Sequence, residues 1–276
     1  MPSSRRAMPP DRPAVTVLIS VYDNELTLPR SIASILAQTE SNLELIVIDD
    51  GSTDRTASVA TDVIGSDPRA RVMRLERNVG IARSLNAGLR AGAAPVVAIQ
   101  DADDHSEPGR LARQLAVLEA DPRIAVVGSR MREVDAAGRV LRPRTTFAAG
   151  DVGDVLMRFN PIPNSSAAFR RESAVAIGGY DQRYRYAPDH DLWLRLAERH
   201  RVVALEEELS TRVMGGSNVA ARAERAQIAE GIAIRARALR RRRTLREARG
   251  LVRPAVSYLT PLAAKRALRR RRGQAP

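Results

Sequence analysis

Short apolar runs rich in β-branched residues alternate with helix-forming segments near the start of the chain, and this alternation constrains the fold more than any other feature. Four runs have the length and composition of buried strands, and the segments between them repeat apolar residues at helical spacing. Such alternation predicts an α/β fold with a mostly parallel central sheet and helices on both faces. The predicted strands are 15–20, 43–49, 71–76 and 95–100, and the predicted helices are 26–39, 58–64 and 80–92.

The second half of the chain is less regular, and we interpret it as an extension of the same domain. Residues 124–143 carry strand-like segments on either side of the turn sequence "DAAG", which predicts a β-hairpin. The globular domain is expected to span residues 14–217. Its other predicted elements are a helix at about 108–120, a short helix at 151–158, a strand at 165–170, a helix at 189–200 and a strand at 201–208.

The composition narrows the chemistry that the chain can perform. The sequence has no cysteine and three histidines, which excludes disulfides and thiolate catalysis and favours oxygen ligands for any metal. No apolar run reaches the roughly 18 to 20 residues that span a bilayer, and the N-terminus lacks the apolar segment of a secretory signal. We therefore expect a cytoplasmic protein with a disordered N-terminus at residues 1–13.

Positive charge is concentrated at the C-terminal end. The formal net charge is +13, and residues 218–276 carry seventeen basic residues against three glutamates, a net charge of +14. The first 217 residues therefore have a net charge of −1. The Arg-rich segment predicts either a solvated helical extension or a region attracted to the anionic inner face of the cell membrane. Nucleic acid is a disfavoured partner because the core is nearly neutral and 3% of the residues are aromatic.

Three polar clusters follow predicted strands: "SVYDN" at 20–24, "DDGSTD" at 49–54 and "DADD" at 101–104. Ligands of open α/β sheets bind at the carboxyl ends of parallel strands, so we expect these clusters to converge on one edge. Each cluster could instead cap a helix or form a turn. Crowded carboxylates favour a Mg²⁺ or Mn²⁺ ion with open positions for phosphate oxygens. Because the sequence has no glycine-rich phosphate loop, it predicts a diphosphate held through the metal.

Several co-linear segments resemble the inverting family-two glycosyltransferases, which have the GT-A fold. The resemblance covers residues 14–217. It implies a metal-dependent transfer of a sugar from a nucleotide diphosphate donor, such as a UDP-sugar, to a hydroxyl acceptor on a glycan, a glycolipid or a small molecule. The segments that carry it are 15–56, "RNVGIARSLNAGL" at 77–89, "VVAIQDADD" at 96–104, and "GGYD" and "DHDLWLRL" between residues 178 and 196.

The resemblance implies a nucleotide-binding role for residues that follow the first two strands. Tyr22 would pack against the base, and Asp50 would accept a hydrogen bond from it. Ser20 and Asp23 would line the same side of the donor. Arg83 would contact the diphosphate or the nucleotide, although an exposed helix arginine is the alternative.

The D-x-D element of the family corresponds to Asp101, Ala102 and Asp103. The resemblance implies that this element binds the donor, with Asp103 as the principal ligand of the Mg²⁺ or Mn²⁺ ion and Asp101 as the second. Asp104 could support the metal ligands, contact the acceptor or cap the next helix.

The resemblance also implies a general base in "YAPDHDLWLRL" at 186–196. The family base lies six residues before the arginine, which is Asp189 here, and Asp191 is the alternative. Both could instead serve the helix N-terminus. Pro188 stands where relatives have an acidic residue. Trp193 is expected to be a core residue, with the acceptor site as the alternative.

A further motif, "LSTRVMGGSN" at 209–218, departs from the family pattern. Arg212 would neutralise phosphate, but Met214 replaces a histidine, and a thioether is a poor ligand for a hard cation.

Two other functional classes fit less well. A nucleotidyltransferase normally has a glycine-rich loop near the first strand, which "SVYDNEL" lacks, and a protein acting on nucleic acid would depend on the basic tail alone.

Overall fold

The first half of the chain forms the predicted alternation of strands and helices, and every end lies within three residues of its prediction. The computed structural model describes residues 12–135, 137–141, 147–214 and 224–242. The four strands pair in parallel in the order β3-β2-β1-β4. They are β1 (Val15–Val21), β2 (Leu43–Asp49), β3 (Ala70–Arg74) and β4 (Val96–Asp101), separated by α1 (Leu28–Leu36), α2 (Thr56–Ile64) and α3 (Ile81–Ala91).

The second half extends this sheet with antiparallel and parallel strands. The complete order is β3-β2-β1-β4-β8-β6-β9-β5, with β7 beside β9. Strand β8 runs antiparallel to both β4 and β6, whereas β6 and β9 are parallel. The elements are β5 (Asp104–Ser106), α4 (Arg110–Ala120), β6 (Ile124–Val134), β7 (Gly150–Asp151), a 3₁₀ turn (Asn164–Ser166), β8 (Ala168–Arg170), α5 (Arg171–Ala176), α6 (Pro188–Leu196), β9 (Arg201–Val213) and α7 (Glu224–Arg242).

One prediction for the second half is wrong and another is only partly right. The short helix expected at 151–158 does not form, because Gly150–Asp151 is β7 and residues 153–158 form consecutive turns. The hairpin expected at 124–143 forms near its turn, where Val134 and Val140 make an antiparallel bridge and the Leu141 amide donates to the Glu133 carbonyl at 2.8 Å. The rest of β6 pairs instead with β8 and β9. An alternating pattern identifies a strand but not its partner, and β6 lies inside the sheet, where most of its side chains are buried.

Two apolar layers cover the two faces of the sheet. Val17 and Ile19 of β1 pack in the layer that contains α1, α2 and α4, whereas Leu18 packs in the layer that contains α3, α6 and α7. Successive strand residues point to opposite faces, so both layers come from one buried strand. Ile234 and Ala238 of α7 are fully buried in the second layer.

The position of α7 bears on the predicted domain division. Its helical structure was expected, but it packs on the same core as the rest of the chain instead of extending into solvent. The boundary at residue 217 stays a prediction, and residues 1–11 and 243–276 lie outside the described residues. None of the helices in the described ranges is both long and apolar enough to cross a membrane.

Candidate active site

The carboxyl ends of β1, β2 and β4 bring the three polar clusters to one edge of the sheet, as expected. Ser20 of β1 lies opposite Asp101 of β4 in the register. The loops after β1 and β2 are joined because the Asp23 carboxylate accepts a hydrogen bond from the Thr53 amide at 2.7 Å. The clusters therefore form one continuous polar edge.

Tyr22 and Asp50, the predicted contacts of the nucleotide base, have different surroundings. Tyr22 is 46% exposed at this edge, so its ring is available for stacking. Asp50 is buried, and its oxygens accept hydrogen bonds from the Val79 and Gly80 amides at 2.8 and 2.9 Å. The Asp50 carboxylate thus anchors the loop before α3. Each of its oxygens has a second lone pair, and the contact with a base stays a prediction.

Two other predicted donor contacts lie at or near the start of α3. The Ser20 hydroxyl donates a hydrogen bond to the Ser84 hydroxyl at 2.8 Å. Arg83 is exposed, and its Nε donates to the Gln182 side chain at 2.9 Å. Arg83 is therefore held next to the loop that precedes α6, and its role toward the diphosphate stays a prediction.

The carboxylates of "DADD" differ in burial. Asp103 is exposed, the Asp101 side chain is 29% exposed, and Asp104 is buried on β5. Burial raises the pKa of Asp101. Burial also raises the pKa of Asp104 to about 8. The positive charge of Arg212 lowers this pKa, whereas repulsion from Asp101 and Asp103 raises it further. Ala102 between them is buried. This concentration of negative charge is a site where a cation would stabilise the ionised carboxylates.

Two arginines lie close to these carboxylates. Arg212 of β9 pairs in register with Asp104, and its guanidinium lies 3.6 Å from the Asp104 carboxylate and 3.8 Å from that of Asp101. Arg110 is fully buried, and burial lowers its pKa to about 10, so it stays protonated at neutral pH. Its guanidinium donates to the side chains of Gln100, Ser106 and Gln114 and to the carbonyls of Ile99 and Ala167, which fixes the end of β4.

Asp189 lies in the first turn of α6, partly exposed. The Asn160 amide donates a hydrogen bond to its carboxylate at 2.8 Å. Burial raises the pKa of Asp189 to about 6, and repulsion from Asp101 contributes. Asp189 is thus near enough to Asp101 for the two charges to interact. A carboxylate with this pKa is ionised at neutral pH and more basic than an ordinary aspartate, as a general base requires.

Burial does not suit Asp191 as an alternative base or Trp193 as part of the acceptor site, whereas Asp191 does lie in the first turn of α6. The Asp191 side chain is fully buried, and its Oδ2 accepts a hydrogen bond from Arg195 Nε at 2.7 Å. Trp193 is fully buried as well, and its Nε1 donates to the Ile162 carbonyl at 3.3 Å. Asp191 therefore holds Arg195 inside the protein, and Trp193 is a core residue, as its apolar helix face indicated.

The two departures from the family pattern have simple structural positions. Pro188 occupies the first turn of α6, where its fixed φ suits the helix. The Met214 amide donates to the Val134 carbonyl at 2.7 Å, which continues the pairing of β9 with β6.

Residues 160–166, "NPIPNSS", were not among the site residues predicted from the sequence, although they contact both Asp189 and the D-x-D element. Asn160 donates the hydrogen bond to Asp189 described above. Asn164 Nδ2 donates to the Asp101 carboxylate at 3.3 Å, and the Ser165 hydroxyl accepts from the Asp101 amide at 2.9 Å. The available signal was a pair of asparagines among prolines, which is also typical of ordinary turns.

Comparison with known proteins identifies the family of the chain. The family model described as "Glycosyl transferase family 2" matches residues 16–178, more than half of the chain. The chain is 30% identical over 207 residues to the amylovoran biosynthesis glycosyltransferase AmsE of Erwinia amylovora, with 74% of this chain and 77% of AmsE covered.

Solved structures share the fold. The mannosyltransferase PcManGT from Pyrobaculum calidifontis, in complex with GDP-Man and Mn²⁺, has a TM-score of 0.64 and 22% identity, covering 94% of this chain and 79% of its own. S. aureus TarS 1-349 in complex with UDP-GlcNAc has a TM-score of 0.67 and 17% identity, covering 82% and 66%. The chain spans 44% of a longer crystallised TarS chain. With the family match and the AmsE relative, the chain belongs to glycosyl transferase family 2 and is a glycosyltransferase with the GT-A fold.

Proposed function

We propose that the protein transfers a sugar from a nucleoside diphosphate donor to a hydroxyl acceptor with inversion at the anomeric carbon, and that Asp189 is the general base. The observation that carries this proposal is the Asp189 carboxylate, held by Asn160 beside the D-x-D element, with its pKa raised to about 6. In an inverting displacement, the base takes the acceptor proton while the acceptor oxygen bonds to the anomeric carbon and the bond to the diphosphate breaks.

The proposed cofactor is a Mg²⁺ or Mn²⁺ ion at the D-x-D element. Within the described ranges, no group of three or more histidines and acidic residues could hold a metal by itself. The exposed Asp103 and partly exposed Asp101 fit the other arrangement, in which one or two carboxylates bind the ion and phosphate oxygens complete its shell. When bound, the ion would stabilise negative charge on the leaving diphosphate. Arg212 would add fixed positive charge nearby.

The proposed donor is a nucleotide sugar, with a UDP-sugar as the first candidate. The exposed Tyr22 ring and the polar residues Ser20, Asp23 and Asp50 offer a surface for a nucleoside. The neighbours solved with UDP-GlcNAc and GDP-Man support the donor class. The name of AmsE, for amylovoran biosynthesis, supports a glycan acceptor and a role in polysaccharide biosynthesis.

The proposed location is the cytoplasm, at the inner face of the cell membrane. Residues 243–276 carry ten basic residues and one glutamate, which would attract anionic phospholipid. A lipid-linked acceptor or a growing cell-envelope glycan would be accessible from that surface.

A panel of UDP- and GDP-sugars, each with Mn²⁺, Mg²⁺ or EDTA, tests the proposal by thermal shift and by release of nucleoside diphosphate. Asp103→Asn is expected to lose the metal-dependent stabilisation by the donor together with turnover. Asp189→Asn should keep that stabilisation but lose turnover by about 10²-fold or more. Asp62→Asn, at an exposed position of α2, is the matched control.

Three results would contradict parts of the proposal. Full turnover by Asp189→Asn would reject the base assignment, and turnover in EDTA would reject the metal. An NMR spectrum showing that the product keeps the donor's anomeric configuration would reject inversion.

A further inference from the structure

Helix α7 contacts the segment that leads into the general base. Glu230 Oε1 accepts a hydrogen bond from the Arg185 amide at 2.8 Å. Its Oε2 accepts hydrogen bonds from the Tyr186 and Ala187 amides at 2.8 and 3.2 Å. One carboxylate on α7 therefore binds three consecutive backbone donors, which end at the residue immediately before α6.

This contact holds the backbone that leads directly into α6. Ala187 is the N-cap residue and makes no side-chain cap. Glu230 binds the amide of this residue and the amides of the two residues before it, so its negative charge lies at the N-terminal end of the helix, where the helix dipole favours it. It adds to the charges of Asp189 and Asp191 in the first turn. A carboxylate from a distant part of the chain therefore fixes the residues from which α6, with Asp189, begins.

A second contact of α7 holds the segment that carries the partner of the base. Arg235 is buried, and its guanidinium donates to the Met157 carbonyl at 3.0 Å and to the Arg158 carbonyl at 3.3 Å. Two residues further along is Asn160, which donates to Asp189 at 2.8 Å. Helix α7 thus contacts the segment just before Asp189 and the segment just before Asn160.

We propose that α7 is a positioning element of the active site, in which Glu230 and Arg235 fix the place of Asp189 through residues 185–187 and 157–158. This inference rests on the proposed function of Asp189. The family model ends at residue 178, so neither Asp189 nor α7 lies within the matched segment. Ile234 and Ala238 of α7 are fully buried, so the helix is packed against the core.

The helix also offers a matched control. Arg241 pairs with Glu198 at 2.6 Å, beyond the C-terminal end of α6 and away from its first turn. Arg241→Gln removes a contact between α7 and the body of the protein without touching either segment that flanks the base. Measuring both stability and kcat in this variant shows how much turnover changes when α7 is merely held less tightly.

The test uses the full chain with Glu230→Gln and, separately, Arg235→Met. A displacement of about 1 Å at the reacting groups can lower a rate by about 10²-fold, so kcat is expected to fall by about tenfold or more in both variants. The KM for the donor and the donor-induced thermal shift should change by less than about twofold, because the D-x-D element is untouched. Hydrogen exchange of the 185–187 amides should accelerate in Glu230→Gln, and Arg241→Gln should keep its kcat within about twofold.

The following results would contradict the positioning role of α7 or separate it from the role of Asp189. A wild-type kcat in Glu230→Gln, or an equal loss of kcat in Arg241→Gln, overturns the positioning role. A loss of donor binding in proportion to kcat overturns it as well, because that pattern indicates general unfolding. Failure of the proposed function would be recognised separately, since Asp189→Asn would then retain turnover. Should Asp189→Asn abolish turnover while Glu230→Gln keeps it, the base assignment stands and the inference fails.

Discussion

Asp189 and Asp191 are two residues apart on one helix, yet their surroundings suit opposite roles. Asp189 is partly exposed and accepts a hydrogen bond from Asn160, whereas Asp191 is buried and paired with Arg195 four residues later. Positions two apart on a helix do not share a face, so the two carboxylates point in different directions. The burial of Asp191 leaves Asp189 as the carboxylate available for proton transfer.

The raised pKa of Asp189 predicts the pH dependence of turnover. The base must be ionised, and a carboxyl group with a pKa of about 6 gains a proton as the pH falls through that value. We expect kcat to decline about tenfold per pH unit below 6 and to be level above about 7. Asn160→Ala removes a hydrogen bond that favours the ionised carboxylate, so its acidic limb should move to higher pH. A pH–rate profile at saturating donor measures both, and a flat profile between pH 5 and 7 would contradict the assignment.

Residues that lie at strand ends and in motifs could be grouped from the sequence, and their roles stay predictions. Asp101 and Asp189 were assigned to one site, and the structure brings them within range of each other's charge. Asn160 and Glu230 could not be found in this way. An asparagine in a proline-rich turn looks like a turn former, and a glutamate on a polar helix looks solvated until tertiary packing shows which amides it binds.

At the scale of elements, the turn "GGYD" connects the D-x-D region to α3. Gly178 and Gly179 adopt φ of 88° and 67°, in the left-handed region that favours glycine. The Asn86 side chain of α3 accepts from the Tyr180 amide and donates to the Tyr180 carbonyl, both at 2.8 Å. The Tyr180 hydroxyl in turn donates to Asn164, a partner of Asp101. Through Asn164, the turn therefore helps to hold the Asp101 carboxylate in place.

The two glycines of this turn predict different costs of adding a methyl group. A Cβ on Gly179 would lie 2.4 Å from the Asn86 side-chain oxygen, whereas one on Gly178 would meet nothing within 4 Å. Both substitutions incur the strain of positive φ, about 1 kcal/mol in the free energy of unfolding. Gly179→Ala should lose roughly 1 to 3 kcal/mol more, because Asn86 must move. Urea unfolding of both variants measures the difference, and equal losses would show that the contact with Asn86 is soft.

The elements that the sequence predicted well are those set by local patterns. From β1 to β4, each strand and helix has its own apolar period, and parallel pairing follows from the helices between the strands. The hairpin expected at 124–143 is only partly right, for the opposite reason. Strand β6 pairs with β8 and β9, which come later in the chain, and such partners leave no signal in the local pattern of β6.

At the scale of the whole molecule, the segment 218–276, which was predicted as one basic extension, contains both a packed helix, α7, and a strongly basic stretch beyond it. Helix α7 ends at Arg242 and belongs to the packed protein, with Ile234 and Ala238 in the core. Residues 243–276 carry ten basic residues and one glutamate. A truncation at residue 217 would remove both α7 and the basic segment 243–276. Its effect on the position of Asp189 could then not be separated from the effect of losing the positive charge. The informative truncation ends at Arg242.

The charge of residues 243–276 predicts binding to anionic membranes that is independent of catalysis. Each basic residue near an anionic surface contributes about 1 kcal/mol, so the full chain should sediment with phosphatidylglycerol vesicles and not with phosphatidylcholine vesicles. Truncation after Arg242 should abolish that binding, and glutamine at all four positions of 269–272 in the full chain should weaken it. Raising the salt concentration should release the full chain, because exposed charges are screened within about 10 Å at 0.1 M salt. The kcat with a soluble acceptor should stay the same, since α7 and its contacts with residues 185–187 and 157–158 are retained. Equal sedimentation of the full and truncated chains would reject the membrane role of the tail, and a lower kcat after truncation would show that residues beyond Arg242 help to hold α7 in place.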